Sequence, residues 1–426
     1  MYDDDVVPRV GESPGLPEDP SVVDNCFVEQ DGYLHRNSEP SSMFSHCMRR
    51  LTLLLGLVAV LILASVSAAQ AAQKSIWGPS TFPVGDVNCP TGPDPCSAFP
   101  VYKQLGASNY QFQIPWDTVA VSRPANPRDP NDPAYHWPTF GDYDVQQAAQ
   151  YGISLAVLVE GTPSWANGGR SRAWAPTNPQ DYADFMYAIS KRYPSIHIWE
   201  IWGEPSYGIN FQPMPPNSRV GPKTYAKLLD LAYSSLKQAS PANLVVGGMT
   251  LNGGGPVSTP DFVKWLRVGK GKKARPPRMD YWGHNPFEGR FPNLKKKPIG
   301  KFRGLNDVDT LYREIQAAYG VKTKTKGKKA RVSKKKLKVP KLWLSEWTVL
   351  SEASPNLFGG FHVSPQQQAA YITAAYRQLR KAKYVKALGW YRLEDEADNG
   401  HMGAAWGLLT ANGARKPSFD AYAAAR

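Results

Sequence analysis

Apolar runs of four to eight residues alternate along the chain with segments in which apolar positions recur at a helical spacing. Short runs that are apolar throughout are typical of strands buried on both faces of a parallel sheet. The runs predict eight strands, at residues 75–78, 110–116, 154–159, 197–202, 244–247, 279–284, 341–345 and 387–391. Helices are predicted between them, at 99–105, 142–151, 179–193, 222–239, 259–268, 307–319 and 365–382. This alternation predicts an α/β protein, a (β/α)8 TIM barrel in a single domain over residues 72–426.

The first 71 residues differ from this pattern. Residues 1–47 contain ten acidic and two basic residues with many Pro, Gly and Ser, a composition that cannot bury a core. They are interpreted as a disordered acidic tail or a mispredicted upstream start. Residues 48–71 contain Arg49 and Arg50, an apolar stretch in which only Thr52 is polar, and then small residues, which predicts a signal peptide or a signal anchor. The positive flank precedes the apolar stretch, so residues 72–426 are expected outside the cytoplasm, secreted or anchored at the cell surface.

The charge of the chain is concentrated after residue 71. The whole sequence carries +14, and because the first 71 residues hold ten acidic residues against four Arg, the remainder carries about +20. Lysine-rich runs at 270–275 and 322–341 precede the sixth and seventh predicted strands, so they belong to the barrel face opposite the strand ends. They are interpreted as solvated loops or as attachment to an anionic cell-wall polymer or membrane surface. Without interleaved aromatic residues they do not indicate specific nucleic-acid binding.

Two of the four cysteines lie in the expected mature part. Cys89 and Cys96 flank a loop rich in Pro and Gly in a chain expected to be exported, which predicts a local disulfide. A zinc site is the weaker alternative, because two thiols without a nearby His pair do not complete a zinc shell. No metal site is predicted.

Two short segments carry the candidate chemistry. Residues 199–205 read Trp-Glu-Ile-Trp-Gly-Glu-Pro and residues 341–347 read Lys-Leu-Trp-Leu-Ser-Glu-Trp. Each delivers one carboxylate, from Glu204 or Glu346, to the end of a predicted buried strand. Two carboxylates facing one cleft are the minimum equipment for cutting a glycosidic bond, and the tryptophans around them suit the stacking of sugar rings. The alternative is that both glutamates lie in ordinary polar loops.

These segments resemble the acid/base and nucleophile signatures of clan A retaining glycoside hydrolases, (β/α)8 enzymes that include the cellulase-like families 5 and 39. The resemblance runs from about Trp77 to the C-terminus, where the segment 406–413, Trp-Gly-Leu-Leu-Thr-Ala-Asn-Gly, is similar to the closing segment of many members. It implies Glu204 as general acid/base after the fourth strand and Glu346 as nucleophile after the seventh. It also implies double displacement on a β-linked polysaccharide or glycoconjugate. No cofactor is predicted, and the protein is expected to be a monomer.

The resemblance also implies where substrate is bound. His284 matches the family's histidine near the end of the sixth strand, and Trp390 matches the tryptophan on which members stack a sugar. Core packing is the alternative for both. The remaining candidate substrate-binding residues are Trp116, Trp165, Trp202, Tyr207, Asn285 and Trp347, with Glu160 as a further residue of the rim.

Two positions depart from the family pattern. Gly203 stands where members have an Asn whose amide binds the sugar 2-hydroxyl, and Phe287 stands where many have a Tyr that contacts the nucleophile. The lost amide predicts that Gly203→Asn raises turnover of an ordinary pyranoside, unless Asn210 or Asn285 supplies another donor. It also keeps open a second interpretation, a non-catalytic or weakly active glycan-binding protein on the same barrel. The matched pair of carboxylates favours the enzyme, because a binding protein does not need both.

Overall fold

The computed structural model describes residues 72–90, 94–253, 255–321, 338–352, 361–396 and 405–426. All of them belong to one compact unit, Ala68–Arg426. The expectations for residues 1–71 and for most of the lysine-rich run at 322–341 lie outside the described residues. Within the described part of the chain, no helix is both long enough and apolar enough to cross a membrane.

Eight parallel strands close into a barrel, which confirms the predicted (β/α)8 fold. The first strand pairs with both the second and the last, so the sheet has no free edge. The strands are β1 (Gln73–Trp77), β2 (Asn109–Gln113), β3 (Ser154–Val159), β4 (Ile198–Ile201), β5 (Leu244–Leu251), β6 (Tyr281–Asn285), β7 (Lys341–Trp347) and β8 (Val385–Trp390). A two-residue pair, Thr81–Phe82 and Cys96–Ser97, forms a separate antiparallel ribbon between β1 and β2.

Helices surround the barrel, and they include all seven that the sequence predicts. They are α1 (Phe99–Gln104), α2 (Trp116–Val119), α3 (Thr139–Tyr151), α4 (Ser164–Asn167), α5 (Pro179–Arg192), α6 (Val220–Ala239), α7 (Thr259–Trp265), α8 (Val308–Ala318), α9 (Pro365–Leu379) and α10 (Pro417–Ala424). Two starts follow the expected capping chemistry. The Asn178 side chain accepts from Gln180 N at the start of α5, and Ser364 forms a capping box with Gln367 at the start of α9.

Several predicted element ends are wrong, each for a local reason. Strand β2 stops at Gln113 rather than 116, because Pro115 has no N–H for the ladder and Trp116 begins α2. Strand β5 continues past the Gly247-Gly248 pair to Leu251 through a register shift, with Gly248 at φ 87°. Strand β7 extends two residues beyond 345, so Glu346 lies within the strand rather than after it.

The barrel interior changes character along its axis. One layer is apolar and contains Ala156, Ile198, Val246, Met249, Trp343 and Ala387. A polar group follows it, in which the fully buried Glu200 accepts from Trp343 Nε1 at 2.7 Å and from Ser345 Oγ at 2.8 Å. Gln111 joins the same group, because its Oε1 accepts from Trp343 Nε1 at 3.2 Å. This polar group lies directly before Glu346 in the sequence of β7.

The loop between β1 and α1 is cross-linked. Cys89 and Cys96 form a disulfide with a Cα–Cα distance of 5.4 Å. Cys96 also belongs to the short ribbon, where Phe82 is its partner. The bond therefore attaches Cys89 to the second strand of the ribbon.

Candidate active site

Glu204 is presented by a turn with an unusual backbone. Strand β4 ends at Ile201, and both Trp202 (φ 65°) and Glu204 (φ 44°) then adopt left-handed conformations. Such values are uncommon outside glycine and concentrate at functional sites. Trp202 is fully buried, and its indole N–H donates to Asn210 O at 2.7 Å. The buried indole anchors the turn and leaves Glu204 partly exposed at the carboxyl end of the barrel.

Glu346 is presented by a strand that is held from two others. Ser345 O, the carbonyl just before it, accepts from Gln111 Nε2 at 2.9 Å and from Trp77 Nε1 at 3.1 Å. Gln111 lies on β2 and Trp77 on β1. The peptide that carries Glu346 is therefore bonded across the barrel as well as along the sheet.

Asn285, the last residue of β6, joins the two glutamates. It is fully buried, its Nδ2 donates to Glu204 Oε1 at 2.9 Å, and its Oδ1 accepts from Glu346 N at 3.2 Å. Asn210 Nδ2 lies 3.4 Å from the other oxygen of Glu204. One side chain thus contacts both residues, so the structure brings them together at one end of the barrel.

The electrostatics of the pair favour a shared proton. Burial raises the pKa of Glu346 well above its usual range, and the charges of Glu204, Glu200 and Glu160 add to that rise. Burial also raises the pKa of Glu204, opposed by the amide of Asn285. Two like charges in a poorly solvated cleft cannot both form easily. The raised pKa values of both carboxyls therefore favour one proton shared by the pair over two negative charges.

Two further carboxyls surround the pair. Burial raises the pKa of Glu200 to about 7. Glu160, the residue after β3, accepts from Gln113 Nε2 at 2.8 Å and from Gly203 N at 3.1 Å. Burial raises the pKa of Glu160 as well. Four carboxyl groups therefore lie close enough to influence one another at this end of the barrel.

Most of the tryptophans proposed to bind sugar are core residues in this structure. Trp116, Trp202, Trp347 and Trp390 are each at most 1% exposed. Trp116 packs edge-on against Trp165 at 5.7 Å, and Trp347 packs edge-on against Trp390 at 5.1 Å. In this structure all four rings pack against other aromatic side chains.

Two other proposed substrate residues are more accessible. Trp165 is partly exposed, donates to Ala120 O at 2.7 Å, and has the Arg123 guanidinium 4.3 Å from its ring centre. Tyr207 is 37% exposed, and its backbone N–H donates to Glu204 O. Of the proposed aromatic contacts, these two retain surface that a ligand can reach.

His284 is enclosed. It has no exposed surface, Nδ1 lies 2.8 Å from Thr250 Oγ1, and Nε2 lies 2.5 Å from Arg303 O. A bond to a carbonyl requires a proton on Nε2, so Nδ1 accepts from the threonine hydroxyl. Burial lowers the pKa of His284 to about 4. The neutral ring links β5 and β6 to the loop before α8.

The structure adds two aromatic residues that the sequence analysis did not assign. Trp77 and Tyr391 follow or end adjacent strands β1 and β8, and their ring centres lie 6.3 Å apart. Burial and the charge of Glu346 raise the pKa of Tyr391 to about 12. The signal in the sequence is position alone, since both residues stand at the carboxyl ends of strands.

The departure at Gly203 has a structural counterpart. A Cβ atom at this position would lie 2.9 Å from Glu160 Oε2 and 3.4 Å from Leu158 Cδ2. Glu160 therefore occupies the space that a side chain at 203 would need. A gain in turnover on Gly203→Asn does not follow from this geometry, because the new side chain would first displace Glu160.

An apolar cavity of about 410 Å3 adjoins the site on the same face of the barrel. It lies beside the loops after β4 to β7, and Phe287, the second departure from the family pattern, is part of its wall. Other apolar wall residues are Leu251, Phe302, Leu350, Phe361 and Trp406. Among the described residues, no cluster of three or more His, Cys, Asp and Glu side chains is placed to hold a metal ion.

Comparison with known proteins gives a structural likeness only. No protein-family profile and no curated protein matches the chain. Solved structures with a similar fold include a family 39 glycoside hydrolase from Bacteroides cellulosilyticus WH2 (17% identity, TM-score 0.54, 84% of this chain and 64% of that chain). They also include a glucosidase from Croceicoccus marinus (14% identity, TM-score 0.55, 83% and 65%) and a family 39 enzyme from Xanthomonas axonopodis pv. citri (17% identity, TM-score 0.52, 85% and 67%).

The chain spans just under two thirds of the length of the first two of these proteins. At such identities the likeness shows the (β/α)8 fold alone. The fold that the motif resemblance implies is thus confirmed, and two of the similar structures are family 39 enzymes. Activity has to be argued from the site.

Proposed function

We propose that this protein is an exported retaining glycoside hydrolase that cleaves a β-linked polysaccharide or glycoconjugate by double displacement. The observation that carries the proposal is the pairing of Glu204 and Glu346 through the one side chain of Asn285. The likeness to family 39 glycoside hydrolases supports it, although the identities are low. Export is inferred from the apolar segment at 51–64 and from the disulfide between Cys89 and Cys96.

In the proposed mechanism, Glu204 donates its proton to the glycosidic oxygen while the Glu346 carboxylate attacks the anomeric carbon. The C–O bond to the leaving group breaks and a glycosyl ester forms on Glu346. Water then attacks the same carbon, Glu204 takes a proton from it, and the ester bond breaks. A separation of about 5 to 5.5 Å between the two carboxyl groups suits this series of reaction steps.

The mechanism requires the shared proton on Glu204, and a bound sugar favours that arrangement as the reaction proceeds. The anomeric carbon gains positive charge beside Glu346, which stabilises the carboxylate, and the leaving oxygen gains negative charge beside Glu204.

The test combines a substrate screen with chemical rescue. Wild type, Glu204→Ala and Glu346→Ala are assayed on nitrophenyl β-glycosides and on polysaccharides, with and without azide. Azide should restore Glu204→Ala by attacking the glycosyl ester and give a β-glycosyl azide, because two inversions retain configuration. With Glu346→Ala, azide replaces the nucleophile in a single inversion and gives the α-glycosyl azide. Glycan binding with no hydrolysis by wild type would instead support the glycan-binding alternative.

We also propose that the lysine-rich runs attach the protein to an anionic wall polymer or membrane surface. The run at 270–275, which lies before β6, supports this because it is largely exposed and faces away from the glutamates. The charge of about +20 over residues 72–426 is consistent with such surroundings.

A further inference from the structure

Glu160 contacts the backbone that carries the proposed acid/base. Its Oε2 accepts from Gly203 N at 3.1 Å, and Gly203 is the residue between Trp202 and Glu204, both of which have positive φ. Its Oε1 accepts from Gln113 Nε2 at 2.8 Å. The carboxylate thus connects the ends of β2 and β3 to the turn after β4.

Packing leaves Glu160 little freedom. Its side chain is 18% exposed, and a Cβ at Gly203 would lie 2.9 Å from Oε2. The missing side chain at 203 is therefore what allows the carboxylate to approach the backbone N–H. Because Gly203 itself is buried, its N–H depends on this acceptor for a partner.

The charge of Glu160 is not cancelled by its neighbours. Arg172 Nη1 lies 3.5 Å from Glu160 Oε1, but the same guanidinium donates to both oxygens of Asp117, at 2.9 and 3.0 Å. One positive and two negative charges leave the cluster with a net charge of −1. Two further titratable groups of the described residues interact with the pair, Glu200 from the barrel interior and Tyr391 from the end of β8.

We propose that Glu160 is a positioning residue of the hydrolase, which fixes the turn that carries Glu204 through Gly203 N–H and whose negative charge keeps a proton on the Glu204–Glu346 pair. The proposal rests on the function proposed above and assigns a role to a third carboxylate. The raised pKa values of Glu204 and Glu346 agree with it, since the charge of Glu160 contributes to both. Glu160 makes no covalent contribution to either chemical step.

The two parts of the role are separated by two variants of the full-length chain. Glu160→Gln removes the charge but keeps an oxygen for Gly203 N–H, because the Gln113 amide can turn to face the new NH2 group. Glu160→Ala removes both the charge and the acceptor. Each is examined by carboxyl 13C NMR titration of Glu204 and Glu346, by the chemical shift of the Gly203 amide, and by kcat and KM across pH.

Removal of a like charge lowers the pKa of the remaining carboxyls. In Glu160→Gln, both pKa values should fall by at least ~0.5 unit, and the bell-shaped profile of kcat/KM should move to lower pH by a similar amount. Its kcat at the optimum should fall less than that of Glu160→Ala, because the acceptor for Gly203 N–H is kept. Glu160→Ala should show the same pKa shift, a changed Gly203 amide signal, and a fall in kcat of up to ~100-fold at unchanged KM.

Glu288→Gln is the matched control. Glu288 is also a largely buried carboxyl on this face, accepts from a backbone N–H, that of Asn306, at 2.6 Å, and has a pKa raised to about 8 by burial. This variant should leave the titration of Glu204 and Glu346 as in wild type.

Unchanged pKa values of Glu204 and Glu346 in Glu160→Gln would overturn the electrostatic role. A Gly203 amide signal and kcat like those of wild type in Glu160→Ala would overturn the positioning role. If Glu160→Ala does not fold, a displaced Gly203 amide signal in Glu160→Gln together with a wild-type kcat would overturn it. A wild type that hydrolyses none of the glycosides would overturn the proposed function, whereas the NMR titrations would still decide the role of Glu160.

Discussion

Glu200 holds a carboxyl group in the barrel interior with no exposed surface. Burial raises its pKa from an ordinary value of 4.5 to about 7, despite bonds from Trp343 and Ser345. Between these two pH values the folded protein binds more protons than the unfolded chain. The contribution of Glu200 to the free energy of unfolding therefore falls as pH rises through this window.

Glu200→Gln removes this dependence, because an amide does not ionise. We expect the free energy of unfolding of the variant to fall less than that of wild type between pH 5 and pH 8, by on the order of 2 kcal/mol. Urea denaturation at several pH values measures the difference. Asp309→Asn, which removes a surface pair with Arg313, is the control and should keep the wild-type slope. An equal slope in Glu200→Gln would contradict the assignment.

The sequence identifies some of these residues and not others. Glu204 and Glu346 could be placed because each follows an apolar run, and Glu160 follows the run 154–159 in the same manner. Asn285 could not be assigned its bridging role, because that role depends on β6 lying between β5 and β7 in register. The burial of the tryptophans could not be predicted, since a ring that packs a core and a ring that binds sugar look alike in a sequence.

Among the elements, β7 packs closely against its neighbour β8 near the site. Gly389 on β8 faces the Ser345 carbonyl, and a Cβ at this glycine would lie 1.9 Å from Ser345 O and 2.5 Å from Gln111 Nε2. The absence of a side chain there allows Gln111 and Trp77 to reach the same carbonyl. Apolar runs in the sequence predict the strands. The ends of the strands and the close approach of Gly389 to Ser345 depend on residues distant in the chain, so the sequence does not predict them.

Gly389→Ala should destabilise the protein by about 1 to 3 kcal/mol, because backbone atoms have to move to admit the methyl group. Turnover should fall as well, since Ser345 directly precedes Glu346. Chemical denaturation and kcat measure the two effects. Gly289→Ala is the control, because a Cβ there meets no atom within 4 Å. A variant as stable and active as wild type would show that β7 and β8 are packed less tightly than described.

At the scale of the whole molecule, the order of strands and loops places the glutamates and the lysine-rich runs at opposite ends of the barrel. Loops that precede strands lie at one end and the glutamates at the other. The lysine-rich run ends at the start of β7, so its attachment point is remote from the site. The sequence predicts this separation because parallel strands share one direction, whereas the partner of the lysines is not encoded in the topology.

Replacement of residues 322–337 by a short neutral linker should weaken binding to anionic lipid vesicles while hydrolysis of a small neutral glycoside stays within about twofold. Binding of the wild type to the vesicles should fall steeply as salt is added. At physiological ionic strength the electrostatic attraction of a lysine is largely screened beyond about 8 Å. Vesicle co-sedimentation and initial rates measure the two properties. Ser replacements of the exposed Lys295, Lys296 and Lys297, which follow β6 on the other face, are the control. If the linker variant keeps its fold but loses turnover, the prediction that the lysine-rich run lies on the barrel face opposite the glutamates is wrong.

The first strand meets the last at the seam that closes the barrel, and Trp77 at the end of β1 donates to the carbonyl before Glu346. Opening the seam would therefore release the proposed nucleophile at the same moment. On heating, activity and barrel structure should then be lost in a single cooperative step. There should be no temperature range in which the barrel is intact but the site is disordered. Directed evolution toward bulkier substrates should therefore gain more from substitutions in the loops that follow the strands than from substitutions at the residues that bond the carbonyl before Glu346.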